Sequence, residues 1–362
     1  MESTVSQTDF EQIKSVYQML EDKESKDIYL KRLNYLLTDE WSYLREIVHA
    51  YLPDVGPGKV RNFDDVLAKM PCDRRFVLFG AGKFGQSLLP MVEHDGRFMG
   101  FCSSTKRRQV YGCAGYPVMS PEELIARRDL AVIVSACGAK FEIMQILKDG
   151  GYPQNLIFDG RVLGEKAVYD PEQYFSPDFM KYEEQEIFVD VGCLNLGSSL
   201  KLKEYCKQLS KVYAFEPDPV NYECCMERKH LLGRTETIVL PYGAWSEKTT
   251  LSFNSGLLGS SGLSDSGEGN TIISVVPIDE MIDAADKVTF LKMDIEGSEQ
   301  EALKGARQVI SRNKPKLAIC IYHKPDDMWT IPMYIKKLVP EYKLYIRHHS
   351  TGPDETVLYA VM

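Results

Sequence analysis

The chain has 362 residues, 44% hydrophobic and 26% charged, which is ordinary for a globular protein and argues against a largely disordered one. At roughly 100–200 residues per domain, this length implies two or three domains, each able to bury a core without disulfide or metal staples. The formal net charge of −9 argues against a general nucleic-acid binder, because phosphates reward basic surfaces.

The nine cysteines are scattered, with one adjacent pair at Cys224 and Cys225 and no C-x-x-C. They read as reduced thiols of a cytoplasmic protein, and no histidine cluster has zinc-ligand spacing, so no metal is expected. The opening MESTVSQTDFEQIK lacks the basic region and apolar run of a signal peptide. Nowhere do about 18 apolar residues run uninterrupted, so no membrane span is expected.

Residues 1–70 are expected to form a helical segment. Thr8 and Glu11 have capping-box spacing, and Phe10, Ile13, Tyr17 and Leu20 follow at helical intervals. Leu33, Leu36, Leu37, Trp41, Leu44, Ile47 and Val48 share a second face. This segment packs on its own domain or on a second subunit, which leaves a homodimer open.

Residues 71–160 read as a small doubly wound α/β domain. Short apolar strands fall at 75–79, 98–102, 131–136 and 156–158, with helices at 87–92 and 140–148. Between the first strand and its helix stands GAGKFG, residues 80–85, in the right context for a dinucleotide loop. Ser103 and Ser104 stand where an NAD site wants an acid, while Arg107 and Arg108 suit a phosphate. The pattern also resembles the small nucleotide-sugar-binding domain attached to some sugar acetyltransferases. A nucleotide or nucleotide sugar at Gly80, Gly82 and Gly85 is one reading, and a fold kept for packing is the other. Residues 161–185, rich in Pro, Tyr and charge, are expected to be a linker.

A second α/β alternation fills 186–362. Strand IFVDV leads into DVGCLNLG (190–197), where glycines and helical N–H groups admit a ligand. The next strand ends in Glu216, 26 positions beyond Asp190, where ribose hydroxyls need an acceptor. After ETIVLPYGA, TTLSF and a Gly/Ser-rich loop at 255–270, strand VTFLKMD delivers Lys292, Asp294, Glu296 and Glu299 to the ligand end of the sheet. One helix is expected over GSEQEALKGARQVI and another over 335–339, before the closing strands YKLYIRH and TVLYAVM. His323 follows strand KLAICIY at the same edge, with Tyr322, Trp329 and Tyr334 nearby. His49, His94 and His230 lie in helical or surface contexts, and His348 and His349 end a strand.

DVGCLNLG, YAFEPDP and LKMDIEGSEQEALKGA together resemble the FkbM-type family of S-adenosylmethionine (SAM) dependent O-methyltransferases, over residues 186–362. The resemblance implies a seven-strand Rossmann-like fold, SAM as cofactor, and a hydroxyl of a sugar, glycan or other natural product as methyl acceptor. It implies that Asp190, Gly192 and Gly197 belong to the glycine loop, Glu216 to the ribose, and Asp294 and Glu296 to the cleft floor. Cys193, Asn195, Asp218, Gly243 and Ala244 complete the implied cofactor set. The family loop reads D-x-G-A-N-x-G, so the extra residue before Gly197 requires a bulge at Cys193, Leu194 or Asn195. His323 is expected to act as a neutral general base, with Asp294 orienting the acceptor. The rivals are an NAD(P)-dependent oxidoreductase working through residues 80–85 and a non-catalytic nucleotide- or glycan-binding protein.

Overall fold

The computed structural model describes residues 6–52, 67, 70–136, 140–160, 172–175, 177–255, 262–263, 269 and 271–362. The chain divides into two units. The first contains Met1–Tyr29, Glu172–Arg347 and Thr356–Met362, and the second Leu30–Pro171 and His348–Glu355. This differs from boundaries at 70, 160 and 185. The helical segment is shared between units, with the division falling inside the helix Lys23–Thr38.

In the second unit, strands β1 (Phe76–Phe79), β2 (Phe98–Cys102), β3 (Val118–Met119), β4 (Ala131–Val134) and β5 (Ile157–Asp159) form one sheet in the order β3-β2-β1-β4-β5. All neighbours are parallel, which explains why FVLF and AVIV are apolar on both faces. Val77, Phe79, Val132 and Val134 pack with Leu124, Leu147 and Tyr152 in its core. The two-residue β3 was too short for a sequence period to reveal.

The first unit carries a seven-stranded sheet. Its strands are β6 (Glu186–Val191), β7 (Leu209–Phe215), β8 (Glu236–Leu240), β13 (Phe290–Met293), β14 (Lys316–Cys320), β15 (Lys343–His348) and β16 (Thr356–Val361). A smaller sheet holds β9 (Gly243–Ala244), β10 (Thr249–Asn254), β11 (Gly262–Leu263) and β12 (Thr271–Val276), in the order β11-β10-β12-β9. The large sheet runs β15-β16-β14-β13-β6-β7-β8, parallel from β8 through β14, with β16 antiparallel to β14. That is a Rossmann-like order, reversing between β6 and β13, where such sheets open a ligand crevice. Phe188, Phe290, Ala318, Cys320 and Tyr359 fill one core face.

Several local expectations are corrected. The first helix starts two residues earlier, capped by a Ser6–Asp9 box instead of Thr8–Glu11, and Phe10, Tyr17 and Leu37 are exposed. GSEQEALKGARQVI breaks into Glu299–Gly305 and Arg307–Asn313. A Cβ on Gly305 would stand 1.9 Å from the Trp245 carbonyl oxygen, a close approach that only glycine permits. The helix expected at 335–339 spans Asp327–Leu338. Of the expected linker 161–185, residues 161–171 and 176 lie outside the described residues, as do 256–261, 264–268 and 270 of the 255–270 loop. No helix among the described residues is long and apolar enough to cross a membrane.

Candidate active site

At the carboxyl end of β6 the chain makes a compact knot before the helix Gly197–Leu202. Gly192 takes φ +75°, and a Cβ there would lie 2.0 Å from the Asp294 carbonyl oxygen. Leu194 and Leu196 both adopt left-handed backbone, at φ 55° and 61°. Two such leucines store strain of the kind found at ligand sites, and they absorb the extra residue of the loop. The result turns Leu194 toward the cleft and Cys193 into the core, where its Sγ lies 3.5 Å from Cys225 Sγ. Hydrogen bonding to Cys225 and burial push the Cys193 thiol well up.

Glu216 follows β7 and is 5% exposed. Its Oε2 accepts the Leu194 N–H at 2.8 Å, and its Oε1 accepts from the Asp218 N–H at 3.1 Å and Asn221 Nδ2 at 3.4 Å. Burial nevertheless raises its pKa to about 7, against the pull of those donors. Three donors hold the carboxylate in place, and both of its oxygens are hydrogen-bonded. It borders an open cleft of about 750 Å³, mouth included, walled by Gly192, Leu194, Pro217, Asn221, Tyr242, Gly243, Ala244, Trp245, Asp294, Glu296 and Ser298. Phe253, Ile273 and Val275 of the smaller sheet close one side.

Across the cleft, Asp294 ends β13. Its Oδ2 accepts from Tyr174 Oη at 2.8 Å and its Oδ1 from Tyr322 Oη at 3.3 Å. Burial would raise its pKa, but Lys292 and His323 hold the carboxyl below its ordinary range. Lys292, 2% exposed, donates to the Gly192 carbonyl at 2.7 Å and lies 3.5 Å from Asp190 Oδ1. The lysine therefore ties the β6 loop to β13. Glu296 has φ 53°, directly before Gly297 at φ 91°.

His323 sits inside this acidic group. Its Nδ1 is 2.9 Å from Glu299 Oε1, and its Nε2 is 3.5 Å from Asp294 Oδ1 and 3.8 Å from Glu296 Oε2. Burial would discharge it, but Glu299, Asp294 and Glu296 raise its pKa to about 9. That shift favours the charged imidazole, whereas the general-base expectation requires the neutral one.

The predicted cofactor residues divide into two groups. Gly192, Glu216, Gly243, Ala244, Asp294 and Glu296 line the cleft. Asp190, Cys193, Asn195, Gly197 and Asp218 do not, and their partners explain why. Asp190 is buried against Ser199 and Lys292, and Asn195 Oδ1 accepts the Gly197 N–H at 3.0 Å. Asp218 caps the helix Pro219–Arg228 through the N–H groups of Val220 and Asn221. Trp329 donates to Asp9 at 3.2 Å, away from the cleft, whereas Tyr322 reaches Asp294. Sequence reasoning named Leu194 only as a candidate bulge and missed Asn221, Tyr242, Trp245 and Ser298. Of these, Tyr242 was signalled by standing beside Gly243 after a strand, and the others carried no comparable signal.

In the second unit the three glycines of residues 80–85 have different reasons. A Cβ on Gly80 would meet the Ser135 carbonyl oxygen at 2.4 Å, and one on Gly85 the Gly80 carbonyl oxygen at 1.8 Å. Gly82 faces open space, with nothing within 4 Å. Two of the three therefore serve packing.

No curated protein matches the sequence. A crystal structure of methyltransferase FkbM from Methylobacillus flagellatus KT is 23% identical, with 89% of this chain and 98% of that chain covered at a TM-score of 0.48. A SAM-dependent methyltransferase from Aquifex aeolicus is 18% identical, with 53% and 89% covered at 0.33. Residues 191–349 match the methyltransferase FkbM domain family, and they span the glycine loop, Glu216, Asp294 and His323. Over residues 191–349, then, the chain is similar to a methyltransferase FkbM domain.

Proposed function

We propose that this chain transfers the methyl group of SAM to a hydroxyl of a sugar, glycan or other natural product. The observation that supports it most is Glu216, a buried carboxylate at the second strand end that borders a cleft with Gly192 and Gly243. A carboxylate offers about four lone-pair positions and three protein donors take up three of them, so one is left for a ribose hydroxyl. Tyr242, Trp245, Phe253 and Ile273 supply apolar walls of the kind a purine needs. These residues fit SAM, which when bound supplies an electrophilic methyl group.

The chain's own work is then alignment and proton handling. Asp294, fixed by two tyrosine hydroxyls and held ionised by Lys292 and His323, accepts the hydrogen bond of the acceptor hydroxyl and takes its proton as the oxygen is methylated. Glu296, beside it at the exposed rim, is the second acceptor. His323 is a positioning residue: its charge holds the carboxylates in one arrangement without touching the substrate. Incubation with methyl-¹³C SAM and a panel of hydroxyl-bearing sugars tests this reading. An O–CH₃ carbon resonance on one class of acceptor is expected, while labelling confined to nitrogen or carbon acceptors would refute O-methylation.

A further inference from the structure

In the second unit, the helix Ser42–Tyr51 and the residues after the helix Leu89–Val92 meet at His49, Glu93 and His94. The Nε2 atoms of His49 and His94 are 3.0 Å apart. Glu93 Oε1 lies 3.6 Å from the first and 3.8 Å from the second. The Glu93 side chain is only 7% exposed, and this oxygen accepts no hydrogen bond. Its other oxygen is paired with Arg45 Nη1 at 2.9 Å.

Two imidazole lone pairs repel at such a distance unless something positive lies between them. A shared proton satisfies the two nitrogens and leaves the buried Glu93 oxygen without a partner, which is costly. A divalent ion satisfies all three. With metal–ligand bonds of about 2.0–2.2 Å, neighbouring donor atoms stand roughly 3.0–3.5 Å apart, so movements of a few tenths of an ångström complete the set. The two histidine side chains are 43% and 61% exposed, which leaves the remaining coordination positions open to solvent.

We propose that His49 Nε2, His94 Nε2 and Glu93 Oε1 bind a divalent transition-metal ion of the zinc class, with water or an exogenous donor in the open position. Two imidazoles and one carboxylate favour zinc, cobalt, nickel or copper over magnesium or calcium. The ligands are separated by up to 45 positions, so the bound ion ties the helix to the α/β body and stabilises that unit.

The test uses the tag-free full chain, zinc in competition with a chromophoric chelator, and cobalt(II) as a spectroscopic probe. One zinc per chain is expected, with a visible cobalt band and a melting temperature that rises with zinc. His94→Ala removes an exposed side chain and keeps the native circular dichroism, yet should weaken zinc binding by at least about tenfold and abolish the zinc-dependent melting shift. Glu93→Gln, which keeps the side-chain shape, should weaken it as well. Absence of zinc binding below millimolar concentration would reduce the pair to a histidine–histidine hydrogen bond and overturn the proposal. Binding that survives His49→Ala and His94→Ala but is lost in His323→Ala would also overturn it, by placing the ion beside Asp294 and Glu299.

Discussion

Gly192→Val is expected to unfold or severely destabilise the first unit, by more than about 4 kcal/mol. Two independent reasons combine. The residue has φ +75°, which β-branched side chains resist, and its Cβ would stand 2.0 Å from the Asp294 carbonyl oxygen and 2.9 Å from Ile295 Cγ2. Strands β6 and β13 are neighbours, so relief requires spreading the sheet at the cleft itself. Urea denaturation should show a loss of cooperativity or a large fall in midpoint. Gly243→Ala is the contrasting case, because its added methyl meets the movable Val275 Cγ1 at 3.0 Å and projects where the cleft lies. That variant should keep its fold and lose cofactor affinity. A Gly192→Val protein of unchanged stability would show that β6 and β13 are not held this closely.

His323→Ala is expected to lower turnover by roughly 10²-fold through misplacement of Asp294 and Glu296, with cofactor affinity largely kept. The pH dependence separates this role from base catalysis. A base would give an acid limb, with activity lost as the imidazole gains its proton. A positioning cation gives an alkaline limb near pH 9, because the charge disappears as pH rises through its raised pKa. The same sign holds for stability. A histidine raised from about 6.5 unfolded to about 9 folded contributes fully below 6.5, and its contribution is lost as pH rises through 9. His323→Lys, which keeps a cation, should retain more activity than His323→Ala. An acid limb that vanishes in His323→Ala would restore the base assignment.

These outcomes also mark what the sequence made legible. Buried parallel strands are apolar on both faces, so IFVDV, KVYAFE and VTFLKMD identified themselves, and with them the strand-end positions of Glu216 and Asp294. The loop of DVGCLNLG was harder, because its residue directions depend on which residues turn left-handed. Two leucines do so, against ordinary propensity, and Cys193 is thereby turned into the core. Asp190 and Asp218 have residue types that suit a ligand, and the fold also sets the first beside a buried lysine and the second at a helix start, which no local pattern signals. The smaller sheet's contribution to the cleft wall depends on tertiary packing that no local period encodes. The charge of His323 likewise depends on Glu299, at the start of the helix Glu299–Gly305 and so on a different element. His49 and His94 read as surface residues because their spacing of 45 matches no local metal motif, and only the fold brings them together.

The Glu216 cleft is proposed to hold SAM. Isothermal titration of SAM into the full chain, the Glu216→Ala variant and the Glu216→Gln variant tests it most directly. One site per chain is predicted, weakened in Glu216→Ala by roughly 1–3 kcal/mol with the fold intact. Because burial raises Glu216 to about 7 and ribose hydroxyls donate to its ionised form, wild-type affinity should rise about tenfold between pH 6 and pH 8. The Glu216→Gln variant should lose that dependence. SAM binding of equal strength in the wild type and Glu216→Ala, with the same pH profile in all three proteins, would contradict the claim.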